Sequence, residues 1–193
     1  MKKALLLSLA LLSVALGRAE TYIISTAHSQ IRFSVKKWSV LDVEGLFRSF
    51  HGTIRYRPDN PEESTVEVSV DVASLVTGEP KRDESLAMPE FLDVARHPTM
   101  SFKSDVVRKE ANGTLLAKGF LTIKGTSRVV PIRVQLLGVQ QIPGEGEVAT
   151  FAAEFTIDRR DFGVLGGTLS RTMVGNEVRI RLTLAGKRQR GAN

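Results

Sequence analysis

The chain has 193 residues, no cysteine and a formal net charge of +6 at neutral pH. This length is enough for one domain with a sizeable core, and the lack of cysteine excludes disulfides, thiolate catalysis and cysteine-based metal sites. The densest basic run is KRQR near the C-terminus, and we interpret residues 187–193 as a solvated basic tail. Nucleic-acid binding would need a clustered basic face, which the sequence does not indicate.

The first nineteen residues read as an export signal. They combine a basic MKK start, the apolar run ALLLSLALLSVAL and the small-residue exit GRA, which together are typical of a secretory signal peptide. The run is short for a membrane span of about 20 residues. We therefore predict a signal peptide over residues 1–19, cleaved near Ala19, and a periplasmic or secreted bacterial protein. Its folded domain is expected over residues 20–186.

Alternation of apolar and polar residues dominates the chain that follows. QIRFSVK places Ile31, Phe33 and Val35 on one face, as expected of a half-buried strand. The same period of two recurs in SFHGTIRYR, STVEVSVDVAS, TMSFKS, VVPIRVQLL, VATFAAEFTID and EVRIRLTLAG. Short turn signals, among them KEANG and KGTS, separate these runs and favour antiparallel pairing. The pattern predicts an all-β domain of about eight strands, closed as a barrel or folded as a sandwich.

One stretch, KRDESLAMPEFLDVARHPTMSF, interrupts the alternation. Its helix formers, acidic start and Pro89 predict a short helical insertion around residues 82–96, with a second short helix beginning at Pro89. Leu86, Phe91 and Leu92 give it one apolar side, which we expect to pack on the sheet. Pro98 ends the insertion.

No constellation in the sequence indicates catalysis or metal binding. His28, His51 and His97 are far apart, and no nucleophile elbow or phosphate-binding loop is present. The acidic residues that could serve as acid and base are interleaved with arginines, which favours ion pairs and helix caps. These acids are Asp83, Glu84, Glu90, Asp93, Asp158 and Asp161. We therefore predict no catalytic residue, no metal site and no cofactor.

Several segments, taken together, resemble the YceI-like family. The matching blocks are HSQIRFSVKKW, GLFRSFHGTI, VDVASLVTGEPKRDESLAMPEFLDVARHPTMSFKS, GFLTIKGTSRVVPIRV, TIDRRDFGV and VGNEVRIRL. T-G-x-x-x-R-D followed by P-E-F-L-D-V-x-x-x-P is a specific combination, and the match runs from about Thr21 to Leu184. The resemblance implies an extended antiparallel lipocalin-like β-barrel in the bacterial periplasm. It also implies that the barrel binds a polyisoprenoid or a similar amphiphile.

A lipid-binding barrel needs a continuous apolar wall, and inward-facing strand residues could supply it. The predicted lining residues are Phe33, Val35, Phe50, Ile54, Val68, Val70, Phe91, Phe102, Phe120, Phe151 and Phe155. A diphosphate head would prefer a cation at the mouth, for which Arg48, Arg82 and Arg159 are candidates. The predicted partner is a polyisoprenoid, another long-chain lipid or a quinone, and a homodimer is left open.

Two other interpretations stay open at this point. One is an enzyme acting on a lipid or quinone in the same cavity, for which Asp83, His28 and His97 would form a deep polar cluster. The other is a barrel filled by its own side chains, with a role in stress tolerance or protein interaction. A hollow interior would argue against the filled barrel, since small barrels either fill their interior or hold one ligand there.

Overall fold

The computed structural model describes residues 19–189, so most of the predicted signal peptide and the end of the predicted tail lie outside these residues. The described chain forms eleven strands and two α-helices. The strands are β1 (Glu20–Ile24), β2 (Gln30–Lys37), β3 (Leu41–Phe47), β4 (Phe50–Tyr56), β5 (Thr65–Asp71), β6 (Leu75–Val76), β7 (Thr99–Lys109), β8 (Leu115–Ile123), β9 (Thr126–Ile142), β10 (Gly146–Asp158) and β11 (Val174–Arg188). The helices are α1 (Pro80–Ala87) and α2 (Thr168–Met173).

Eight of the strands close a barrel in the order β1-β4-β5-β7-β8-β9-β10-β11, with β11 pairing back onto β1. Neighbouring strands are antiparallel throughout. The first part of β11 pairs instead with β2, and β3 and β6 extend the sheet from there. The predicted all-β antiparallel barrel is therefore confirmed. Strand β2, predicted from QIRFSVK, lies with β3 and β6 in a three-stranded extension of the sheet that the sequence did not indicate.

The two ends of the barrel differ. One end, here called the hairpin end, carries the turns that join β7 to β8 and β9 to β10. The opposite, helical end carries α1, α2 and the loops around them. Neither helix in the described part of the chain has the length and apolarity that a membrane span requires.

Charged groups reinforce the seam between β1 and β11. Arg188 forms ion pairs with Glu20 (2.5 Å) and Glu147 (3.3 Å), and the Tyr22 hydroxyl donates a hydrogen bond to Glu147 (2.8 Å). Burial and this bond raise the pKa of Tyr22. Lys187 and Arg188, which we expected to begin a solvated tail, are thus the last residues of the closing strand. The apolar–polar pattern at the end of this strand is too short to identify these two residues as strand residues from the sequence.

The predicted helical insertion is confirmed, although its helix is shorter than expected. Helix α1 ends at Ala87 because Met88, which precedes a proline, is extended with ψ of 162°. The second helix predicted at Pro89 is absent, and residues 88–97 fold into hydrogen-bonded turns. Asp93 adopts a left-handed φ of 50° there, which no α-helix accommodates.

Residues 80–97, here called the cover segment, lie across the helical end of the barrel. Lys124 donates hydrogen bonds to the carbonyl oxygens of Pro89 (2.6 Å) and Gly163 (3.1 Å). The Gly166 amide donates to the Glu90 carbonyl (2.7 Å). Phe91 and Leu92 pack on a buried cluster of barrel and loop residues, which comprises Leu121, Ile123, Ile157, Phe162 and Val164.

We predict that Gly119→Ala destabilises the barrel by about 1–3 kcal/mol. A Cβ at Gly119 would stand 2.2 Å from the Lys103 carbonyl oxygen and 2.6 Å from the Ser104 Cα, and the β7–β8 register shifts just beyond this contact. Gly138→Ala, in strand β9 with no heavy atom within 4 Å of the added Cβ, is the matched control. Urea unfolding measures both variants, and equal stabilities would contradict the close approach.

We predict that Phe91→Ala lowers the free energy of unfolding by about 1–3 kcal/mol, because the ring packs on the core at the helical end. Met88→Ala, three residues earlier with a side chain that is 54% exposed, should change it by less than about 0.5 kcal/mol. Chemical denaturation of both variants checks this. An unchanged stability in Phe91→Ala would show that the cover segment does not wedge onto the barrel.

Candidate functional site

The barrel interior is hollow. Its cavity has a volume of about 250 Å³. Apolar side chains supply nearly all of the wall, from Val107 and Leu115 at the hairpin end to Val164 and Val174 at the helical end. Inward positions of seven of the eight barrel strands, all but β1, contribute apolar residues to the wall, which extends from one end of the barrel towards the other.

Most of the predicted lining residues lie together along this wall. Nine of the eleven do so: Phe33, Val35, Ile54, Val68, Val70, Phe91, Phe102, Phe151 and Phe155. They come from β2, β4, β5, β7 and β10 and from the cover segment. Binding of a ligand by these side chains remains a prediction.

Two predicted lining residues lie elsewhere. Phe120 is 49% exposed on the outer face of β8, because strand periodicity turns its neighbours Gly119 and Leu121 inward. Phe50 is 4% exposed and packs in the same buried cluster as several wall residues, among them Ile54 and Phe151, but it is not one of the residues that line the cavity. It lies at the start of β4, beside the short β3–β4 turn.

The wall also includes residues that our sequence analysis missed. Leu115, Ala117, Leu121 and Ile123 of β8, Ile132 and Val134 of β9, and Val164 and Val174 of the last connection all line it. The β8 set keeps a period of two in LLAKGFLTI, so the correct phase of that run would have identified it. Val164 and Val174 flank an irregular connection in which no periodicity identifies them.

Arg159 is the one candidate head-group arginine that reaches the cavity. It is 7% exposed and follows β10 directly, in a 3₁₀ turn at the helical end. Its guanidinium donates to four backbone carbonyls: Gly175 (3.0 Å), Val164 (2.7 Å), Leu165 (2.6 Å) and Val174 (3.2 Å). Burial lowers the pKa of this guanidinium, which nevertheless stays charged near neutral pH.

The other two candidate arginines are placed outside the cavity. Arg48 is exposed in the β3–β4 turn. Arg82, on α1, donates to the Thr77 hydroxyl (2.8 Å) and the Thr77 carbonyl (2.9 Å), so it ties the helix to the strand that precedes it. Neither side chain lines the cavity.

At the hairpin end of the cavity the polar group is Tyr56. Its ring packs edge-on against Phe151, with 5.8 Å between ring centroids, and the residue lines the wall. Burial raises the pKa of the Tyr56 phenol. Arg159 and Tyr56 therefore lie towards opposite ends of the cavity.

The residues considered for catalysis are scattered. Asp83 accepts hydrogen bonds from the Thr77 amide (2.9 Å) and from the Thr77 hydroxyl, a structural tie at α1. His28 lies on the surface 3.8 Å from Glu145, and the His97 ring packs over Gly125. None of the three lines the cavity. Within residues 19–189, no group of three acidic or histidine side chains is arranged to hold a metal ion.

The chain matches the model of the YceI-like domain over residues 22–185. Among curated relatives, a UPF0312 protein of Vibrio cholerae is 34% identical over 150 residues, which cover 77% of this chain and 79% of that protein. A UPF0312 protein of Pseudomonas savastanoi is 31% identical over 173 residues, covering 88% of this chain and 90% of the relative.

Solved structures show the same fold. Burkholderia cenocepacia BcnA superposes with a TM-score of 0.75 at 26% identity, covering 84% of this chain and 98% of that one. A domain from Saccharophagus degradans, described as polyisoprenoid-binding and implicated in plant cell wall breakdown, has a TM-score of 0.66 at 15% identity. It covers 89% of this chain and 100% of its own. With the family model spanning nearly the whole barrel and relatives above 30% identity, the chain belongs to the YceI-like family.

Proposed function

We propose that the protein binds one long-chain lipid, a polyisoprenoid or a similar amphiphile, inside the barrel. The observation that carries this proposal is the hollow, continuous apolar cavity that runs between the two ends of the barrel. A cavity of this kind offers an extended chain contact along its whole length. It offers very few hydrogen-bond partners to a small polar substrate.

The driving force would be burial of the chain. Moving apolar groups out of water contributes about 0.8 kcal/mol per CH₂, so several isoprene units would contribute roughly 20 kcal/mol before any cost is counted. Measured affinities saturate near about 20 kcal/mol, and the loss of chain entropy and of free motion offsets a large part of the gain. Tight binding therefore requires no catalytic group and no specific hydrogen bond along the chain.

The comparisons support this proposal in two respects: the shared barrel fold, and the class of ligand named for one structure with that fold. The Saccharophagus degradans domain, which has the same fold, is described as polyisoprenoid-binding. The apolar wall found here would suit such a ligand. We further propose that the protein acts in the periplasm or outside the cell, where the signal-like residues 1–19 would direct it, and that it carries or stores its lipid there.

We predict that Val68→Trp lowers affinity for a fluorescent prenyl probe about tenfold or more. Val68 lines the cavity, so an indole there would occupy space for two or three methylene groups, each worth about 0.8 kcal/mol. Phe120→Trp introduces the same indole on the outer face, where the native ring is 49% exposed, and should leave the affinity unchanged.

Probe titration of both variants, with thermal unfolding as the check on folding, makes the comparison. Equal affinities in two folded variants would show that the prenyl chain binds elsewhere than in the barrel.

A further inference from the structure

The turn between β2 and β3 carries exposed apolar side chains at the helical end of the molecule. Trp38 is 55% exposed, Val40 72% and Leu41 50%. The Trp38 amide donates a hydrogen bond to the Met173 carbonyl at the end of α2 (2.7 Å), and the Met173 side chain is exposed as well. These four residues are here called the tip patch. Single exposed apolar side chains are common, but a group of them marks an interaction surface.

We propose that the tip patch docks the protein onto the surface of an anionic phospholipid bilayer. This docking goes beyond the proposed lipid binding and would stand without it, because no residue of the tip patch lines the cavity. The strand that leads to the patch does line it, through Phe33 and Val35 of β2. A protein held by this turn presents the helical end of its barrel to the membrane.

The backbone of the turn is strained, which favours a role for the exposed indole. Trp38 and Ser39 have left-handed φ values of 51° and 60°. The Val40 amide donates to the Lys37 carbonyl (3.3 Å), which closes a two-residue hairpin turn. Asn-Gly or Asp-Gly is favoured at a turn of this kind, because other side chains are strained at positive φ. Such strained residues cluster at functional sites, and here the strain places a tryptophan on the surface.

The cations next to the patch are not paired with carboxylates. The Lys37 ammonium lies 4.5 Å from the centre of the Trp38 ring. Arg171 is exposed on α2, where it donates to the Gly166 carbonyl (3.2 Å). Within residues 19–189, neither Lys37 nor Arg171 takes part in an ion pair. Both charges are therefore available to anionic head groups.

The carboxylates of the same strands do not cancel this charge. Asp42, which follows Leu41, is already paired with Lys36 (2.8 Å). Glu44 on β3 and Glu177 on β11 lie farther along their strands, away from the turn. An apolar tip with a basic margin suits the interface of an anionic bilayer, where tryptophan is enriched.

A protein partner fits the patch less well than a bilayer does. Standard protein interfaces involve about 20–30 residues a side, and four side chains at one turn are far fewer. A bilayer requires no matching shape. It requires apolar groups that reach the acyl boundary and cations that meet the head groups.

Trp38 is the one tryptophan of the chain, so its fluorescence reports on the patch itself. Titration of the full chain with vesicles of phosphatidylglycerol and phosphatidylcholine should shift the emission to shorter wavelength, and bromine on the acyl chains should quench it. Vesicles of phosphatidylcholine alone should bind at least about fivefold more weakly, as expected when a cation loses its anionic lipid. Neither vesicle contains a prenyl lipid, so the result does not depend on what the barrel holds.

Val40→Asp should weaken binding to the phosphatidylglycerol vesicles about tenfold or more, because it replaces an apolar group at the tip by an anion. Val129→Asp makes the same change at a valine that is 50% exposed on β9, outside the tip patch, and should leave binding unchanged. Both variants keep Trp38 as the reporter. Both replace an exposed side chain, so both should fold.

Unchanged Trp38 emission on addition of the anionic vesicles would overturn the proposal, as would equal binding by Val40→Asp and Val129→Asp. Equal binding to the two kinds of vesicle would also overturn it, since the surface would then not be chosen for its charge. A shift that grows with protein concentration in the absence of vesicles would assign the patch to a second copy of the chain instead. A protein that docks on vesicles but takes up no prenyl probe would keep this proposal and overturn the proposed lipid binding.

Discussion

The molecule depends on one constraint: a sheet with a period of two closes on itself around an interior that its own side chains do not fill. Closure removes the exposed edges of the eight barrel strands and turns every inward position towards a shared space. The side chains that line this space include several small ones, such as Val68, Ala117 and Val134. Atoms that border a void lack contact partners on one side, so the hollow barrel is less stable than a filled one. A lipid that enters would supply those contacts and stabilise the native state by mass action.

The two ends of the barrel are closed by different elements. At the helical end the cover segment and the connection before β11 meet through backbone hydrogen bonds, among them Gly166 to Glu90. Arg159 lies behind this junction and fastens both sides of the 164–175 connection. The hairpin end has Tyr56 and no buried cation of this kind among the described residues.

Alternation of apolar and polar residues in runs such as STVEVSVDVAS predicted an antiparallel all-β domain, a barrel or a sandwich, and the resemblance to the YceI-like family indicated the barrel. The same alternation predicted most of the wall. The wrong predictions concern residues whose positions are decided by tertiary contacts rather than by the local apolar–polar pattern. Phe120 was chosen for its aromatic ring although its strand phase points outward, and Phe50 is buried among core residues without lining the cavity. The extra strands, the end of α1 and the role of Arg188 in closure depend on long-range pairing, which no single run of residues encodes. Arg159 was one of three equal candidates until the structure showed which of them is buried.

The central claim is that the barrel holds a long-chain lipid when it is made in a cell. Native mass spectrometry of the full chain, expressed with its own N-terminal segment in a bacterium and purified without detergent, tests this most directly. The account predicts a species heavier than the polypeptide by the mass of one lipid, which is released on denaturation and extracts into organic solvent. A single species at the mass of the polypeptide alone, with no uptake of added prenyl lipid, would contradict it.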